Sequence, residues 1–340
     1  MIVGCGVAFA ATEGGAPPQA ATAAASTGPQ HLYAPYFETW TPQSLVEVAR
    51  RSGTHNLTLA FIQAPKRGSC RPTWNGDPSQ PVSGGRYRHQ IAVLRRRLGG
   101  DAIPSFGGYS ADHALTEIAD SCRSVKRLAV AYESVIRALG ATRLDMDIED
   151  RSLDNPAGID RRSRALTRVE RWAKRQGRPL KIQYTLPVEP SGLESNGLAV
   201  LRDAISHGTR VDVVNIMTFD YYDGTTTHMG PAAIHALRSL HAQLHHLYPG
   251  RSSRRLWAME GTTIMAGIDD YPKKTEVTRL ADATRLVRFA RAHGMSLLSM
   301  WAIQRDNGAC PGTLGDDSCS GIVQKQWAFS HRLGRFTTPG

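Results

Sequence analysis

The chain has 340 residues, 41% hydrophobic and 21% charged, with a formal net charge of +11. That composition belongs to a globular chain, long enough for two ordinary domains or one large barrel, and excludes a wholly disordered one. No run of 18 or more apolar residues occurs, which excludes an evident membrane-spanning helix.

The positive charge first suggests nucleic acid, but its distribution does not. Of the 41 basic residues 34 are Arg, spread over stretches such as Arg95-Arg96-Arg97 and Arg161-Arg162, with no basic cluster interleaved with aromatics. Solvated helix faces account for them, and no nucleic-acid partner is expected. Loose attraction to acidic surfaces is the remaining consequence.

Ile2 to Ala11 is short and apolar and contains Ala8-Phe9-Ala10, in the manner of an export signal with its cleavage site. A charged leading region is missing, so residues 1–30 read as a truncated signal followed by an Ala/Thr/Pro-rich tether. Ile2-Val3-Gly4-Cys5 also has the look of a lipid-attachment box at Cys5. A secreted protein is expected, with one catalytic domain over 31–340.

From His31 onward, β-rich segments alternate with helical ones, the pattern of a parallel sheet. Strand one spans about His31 to Phe37, and a helix with Pro42 in its first turn stops at Gly53. Strand two covers Asn56 to Gln63, before a loop carrying Cys70 and Trp74. A helix from Arg86 to Leu98 leads to strand three, Ala102 to Phe106. One helical stretch, Asp112 to Leu139, precedes strand four, Arg143 to Glu149. Strands five and six are Leu180 to Leu186 and Val211 to Phe219. A helix opening at Pro231 precedes strand seven, around Leu256 to Gly261. Thr278 to His293 precedes strand eight, Ser296 to Ile303, and a last helix starts near Gly321. Eight strand–helix pairs in about 310 residues fit a (β/α)8 TIM barrel, usually ~250 residues plus insertions. A doubly wound open sheet is the alternative, but no Gly-rich phosphate loop follows strand one.

Strand four carries the most chemistry. In Arg143-Leu-Asp-Met-Asp-Ile-Glu149 the acids Asp145, Asp147 and Glu149 alternate with Leu144, Met146 and Ile148. Successive side chains point to opposite faces of a strand, so the three carboxylates share one face, about 7 Å apart. Like charges so placed raise one pKa, which suits a general acid near neutral pH.

In a barrel the chemistry belongs at the C-terminal ends of the strands. Polar and aromatic residues gather there: Tyr33 on strand one, Phe61 on strand two, Gly107 and Gly108 after strand three, Tyr184 on strand five. Met217, Asp220 and Tyr221 end strand six, and Trp301, Gln304 and Arg305 close strand eight. All are candidate lining residues. Trp40 and Trp74 read as packing beneath loops.

Four cysteines follow Cys5. Cys310 and Cys319 would staple one loop, leaving Cys70 with Cys122. Zinc is the rival, but no CxxC pair is present. His241 and His245 lie one helical turn apart without an HExxH motif, so neither metal nor cofactor is expected.

These residues resemble the family 18 glycoside hydrolases, the chitinase family, from about His31 to Phe329. Asp145-x-Asp147-x-Glu149 is similar to the core of the DxxDxDxE signature, and Ser105-Phe-Gly107-Gly108 to the SxGG strand. Asn215-Ile-Met217-Thr-Phe-Asp220-Tyr221 resembles the strand-six motif, and Ser299-Met-Trp301 the strand-eight tryptophan segment. Thr142 and Arg143 depart from the signature, and Phe219 stands where many relatives carry tyrosine, with Tyr221 expected to supply the hydroxyl instead.

The resemblance implies a retaining, substrate-assisted mechanism on chitin or chito-oligosaccharides. Glu149 would be the general acid, and the substrate's 2-acetamido carbonyl the nucleophile, forming an oxazolinium ion. Asp147 would orient the acetamido group and Asp145 would tune Asp147 by sharing a proton. Asp220 and Tyr221 would hold the acetamido group, and Trp301 would form the floor. The alternatives are an endo-β-N-acetylglucosaminidase and a non-catalytic chitin-binding barrel. Thr262 to Thr278 is only about 17 residues long, which leaves no room for a large inserted domain, so an open cleft and endo action are expected. The protein is also expected to be a monomer.

Overall fold

The structure, a computed structural model, describes residues 31–314 and 317–337, together with Met1, Ile2 and Gly4. The expected export segment, the tether and the Cys5 lipid site lie otherwise outside the described residues.

The sheet closes through its first strand. Leu32–Tyr33 pairs with strand eight, and Tyr36–Glu38 pairs with strand two. Pro35 divides them, since proline has no N–H to give the ladder, while its carbonyl still accepts from Thr58. Between these halves the parallel order runs eight, seven, six, five, four, three, two, a curled sheet in the form of a (β/α)8 barrel. Strands two to six are Leu57–Gln63, Ala102–Gly107, Arg143–Asp147, Lys181–Pro187 and Val213–Met217. Glu260–Met265 and Leu297–Trp301 are the seventh and eighth.

Side-chain parity sorts the layers. Leu144, Met146 and Ile148 face outward into one continuous apolar layer under the helices. Burying each such side chain contributes roughly 1.5–3 kcal/mol. Inside the barrel, Ala34, Ile103, Val213 and Leu297 fill the bottom. Tyr36, Ala60, Phe61 and Ala302 pack near the top.

Several element boundaries differ from the sequence expectation. The first helix is Leu45–Ser52, capped by Ser44, so Pro42 precedes it; Gly53 ends it as expected, at φ 71°. The single stretch expected over 112–139 is three helices, Tyr109–Ala114, Ile118–Ser121 and Val125–Leu139. Leu115 adopts φ 56° and stops the first of these. Strand seven lies four residues later than expected. Leu256 sits in a short helix, Ser253–Trp257, and the charged Glu260 opens the strand, fully buried with His241 Nδ1 2.7 Å from its carboxylate. The last helix is Ala328–Leu333, where Asp306 accepts the N–H groups of Phe329 and Ser330. Strand seven is followed by a small hairpin, Gly267–Ile268 with Val277–Thr278.

Both expected disulfides are present, Cys70–Cys122 and Cys310–Cys319. No helix among the described residues is long and apolar enough to cross a membrane.

Candidate active site

A cleft of about 630 Å³ opens at the C-terminal end of the barrel strands. Asp147 and Glu149 form part of its floor, with Phe61, Met217, Asp220 and Trp301 around them. The acids of strand four thus share the inward face, as the alternation of that strand predicts.

Asp145 is fully buried and held by four donors. Gln183 Nε2 and the Thr185 hydroxyl donate to Oδ1 at 3.0 and 2.7 Å, and the Tyr36 and Ser105 hydroxyls to Oδ2 at 2.9 and 2.6 Å. Burial pushes its pKa up, and these four bonds draw it back. Asp147 has no such set, and its Oδ1 is buried without a hydrogen-bond partner among the described residues. Burial first, then the charges of Glu149, Asp145 and Asp112, hold its pKa well above the usual carboxylate range. Four donors able to hold a negative charge thus converge on Asp145.

Glu149 lies just past the strand, where it opens the short helix Asp150–Leu153. Its N–H leaves the ladder and donates to the buried Asp112 carboxylate at 2.5 Å. Burial raises its pKa to about 7, Asp150 adds to the shift, and a Tyr109 backbone hydrogen bond opposes it. At slightly acid pH the group is a protonated carboxylic acid facing a cleft.

Gly107 and Gly108 act by absence of a side chain. A Cβ on Gly107 would lie 1.8 Å from the Asp147 carbonyl oxygen, and one on Gly108 2.5 Å from the Phe61 ring. Both have positive φ, 110° and 85°. They let strands three and four and the aromatic floor approach closely rather than touching a ligand as lining side chains.

That floor consists of Trp301 stacked on Phe61, ring centroids 5.6 Å apart at 13°, with Trp40 beside both, 6.4 Å from Phe61 and 6.2 Å from Trp301. Trp40 is 43% exposed and lines the cleft, contrary to its reading as packing, whereas Trp74 is buried core. Across from them, Asp220 accepts the Asp270 N–H, and burial with Asp269 and Asp270 raises its pKa to about 8.

Five expected lining residues stand elsewhere. Tyr33 faces outward beside Ser330 and Asp306, because the inward position of strand one is Tyr36. Tyr184 also faces outward, on the same side as Met146; the strand register pairs Asp145 with Gln183 and Asp147 with Thr185, and these are the inward residues. Tyr221 is 4% exposed and packs in the apolar layer, while Tyr222, 53% exposed, lines the cleft in its place. The turn carries left-handed residues at Asp220 and Tyr222, φ 52° and 53°, which breaks strand alternation. Gln304 is buried and hydrogen-bonds the Glu38 backbone and Thr41. Arg305 is buried and donates to the Ile268 carbonyl at 2.6 Å. Both tie strand ends together.

Tyr36 and Asp112 were not among the expected site residues; Tyr109 and Tyr222, which directly follow strands three and six in the sequence, do line the cleft. Among the described residues one grouping could hold a metal by ligand spacing, Asp160, Asp203 and His207, and none of these lines the cleft.

Comparison with known proteins agrees with this geometry. The family model for glycosyl hydrolases family 18 matches residues 33–306. A probable bifunctional chitinase/lysozyme of Escherichia coli is 34% identical over 323 residues, covering 91% of this chain and 35% of the relative. Endochitinase 11 of Metarhizium anisopliae is 34% identical over 289 residues, 82% of this chain and 53% of the relative. The chain thus spans about a third to a half of these curated relatives. A solved chitinase active domain 2 from Pyrococcus furiosus superposes with a TM-score of 0.78 at 32% identity, covering 91% of this chain and 95% of that one. An acid strand aimed into an aromatic cleft and a family match spanning nearly the whole barrel lead to one conclusion: the chain belongs to family 18 of the glycosyl hydrolases.

Proposed function

We propose that the protein is an exported chitinase that cleaves β-1,4-linked N-acetylglucosamine chains with retention, using the substrate's own acetamido group as nucleophile. The observation that carries this reading is Asp147, which lines the cleft and whose buried Oδ1 has no hydrogen-bond partner among the described residues. A buried polar atom left unpaired costs about 1–3 kcal/mol, and an acetamido N–H from the sugar would satisfy it. An Asp147 that holds a proton is also a poor nucleophile, so the second-carboxylate attack of ordinary retaining glycosidases is disfavoured.

In the proposed sequence, Glu149 gives its proton to the glycosidic oxygen as the bond to the anomeric carbon breaks. The acetamido carbonyl oxygen closes on that carbon, and the oxazolinium carries the positive charge. The Asp145–Asp147 pair, one proton short of neutral, offsets it from below. Tyr36 and Ser105 keep that charge on Asp145 by donating to it. Protonated Asp220 donates to the acetamido group from the opposite wall. Glu149, now a carboxylate, takes a proton from water, which attacks the anomeric carbon and reopens the ring. Trp301 and Phe61 offer a flat apolar surface to the sugar's C–H face.

The small hairpin after strand seven leaves the cleft open, which favours endo action, and the two disulfides fit an oxidising, extracellular setting. The test is mass spectrometry of chitin oligosaccharides incubated with the protein. Short N-acetylglucosamine oligomers are expected. Intact oligosaccharides would overturn the chitinase reading in favour of glycan cleavage or binding alone.

A further inference from the structure

The hairpin after strand seven does more than border the cleft. Glu276, fully buried, accepts the Tyr221 N–H on Oε2 and the Tyr222 N–H on Oε1, both at 2.8 Å. Asp269, 1% exposed, accepts the preceding N–H, that of Asp220, on Oδ2 at 3.1 Å. The bond is returned, since Asp220 Oδ1 accepts from Asp270 N–H at 3.1 Å. Three successive backbone donors of the Asp220–Tyr222 turn are thus met by two carboxylates of one hairpin, the arrangement in which consecutive amides bind an anion.

This turn needs holding. Asp220 and Tyr222 both lie in the left-handed region, at φ 52° and 53°, which non-glycine residues adopt at a cost and keep only where neighbours enforce it. The hairpin is itself anchored to the end of strand eight and to the loop that follows it. Arg305 donates to the Ile268 carbonyl, Ala266 N–H to the Trp301 carbonyl, and Ile268 N–H to the Ser320 carbonyl. A brace therefore runs from strand eight through the hairpin to the wall of the cleft that carries Asp220.

We propose that Glu276 and Asp269 are positioning residues for the reaction: by gripping the amides of residues 220–222 they set the Asp220 carboxyl against the substrate. The proposal rests on the functional reading above for the role of Asp220, and on hydrogen-bond geometry for the brace. The groups facing Asp220 are Asp269, Asp270 and Glu276 from the hairpin, Tyr222 from its own turn, and Arg305 from beyond strand eight. The acids add to burial in keeping Asp220 protonated, so removing one of their charges lets Asp220 lose its proton at lower pH.

The test uses the full chain and its Glu276→Gln and Asp269→Asn variants, each first shown to keep a cooperative thermal unfolding transition. Glutamine offers one acceptor where two N–H groups need one each. Hydrogen exchange at residues 220–222 is expected to quicken about tenfold or more, and kcat/KM on chito-oligosaccharides to fall about 10–100-fold. Beyond the fall set by Glu149, the further loss of activity that accompanies deprotonation of Asp220, near pH 8 in the native protein, should move to lower pH in both variants. Unchanged exchange overturns the brace. A loss of activity equal at every pH overturns the positioning role and leaves a structural one. Absence of hydrolysis by the native protein overturns the functional reading instead, and the exchange result then still decides the brace.

Discussion

Glu149→Gln is expected to lower kcat on chito-oligosaccharides by about 10³-fold with KM within a few-fold of native. Glutamine keeps the shape and the cleft contacts of the side chain but has no proton to give to the leaving oxygen. The sign of the native pH dependence follows from the same group. Glu149 must be protonated to act as acid, and its pKa is raised to about 7. Native activity should therefore fall as pH rises through about 7, and the residual activity of the variant should lack that limb. Steady-state rates from pH 4 to 9 decide this. A variant that turns over at the native rate would remove Glu149 from the chemistry.

Asp147→Ala separates catalysis from stability. The loss of transition-state charge stabilisation and of acetamido positioning is expected to lower kcat by about 10²–10³-fold. Stability should move the other way or not at all, because the native carboxyl is buried with an oxygen unpaired and its pKa pushed far up. Thermal unfolding beside kinetics reads both quantities. A large fall in unfolding temperature would mean that Asp147 is held by bonds the account does not contain.

Strand four was legible because its two faces differ in kind, acids against aliphatics, and only one assignment buries the aliphatics. Strand one was not, since both faces carry aromatics. Tyr33 and Phe37 share one face and Tyr36 has the other, and only the bond from Tyr36 to Asp145, 109 residues away, decides which is inside. Tyr184 illustrates the same limit. Its parity is settled by the pairing of Asp145 with Gln183, a contact between strands that no local pattern carries. Past strand ends the periodicity stops altogether. The left-handed turn at Asp220 exchanges the roles of Tyr221 and Tyr222, and it is enforced by carboxylates some 50 residues later in the chain. Strand seven slipped for a different reason: a buried Glu260 paired with His241 reads locally as a surface residue. The cysteines were simpler, since a short loop and a default pairing sufficed.

The arrangement also explains why a barrel would keep so many buried acids. Asp112, Asp145, Asp147 and Glu149 all have pKa values raised, each with burial as the largest cause. Folding around them opposes ionisation, and the same opposition raises the pKa of Glu149 to about 7, while four donors converge on Asp145.

The anomeric form of the first products, followed by proton NMR during cleavage of a chito-oligosaccharide before mutarotation, decides whether the acetamido group is the nucleophile. The β-anomer is expected first, as attack by the acetamido oxygen and then by water inverts the anomeric carbon twice. First appearance of the α-anomer would contradict it, because a single displacement by water needs neither the acetamido nucleophile nor the unpaired Asp147 oxygen that awaits it.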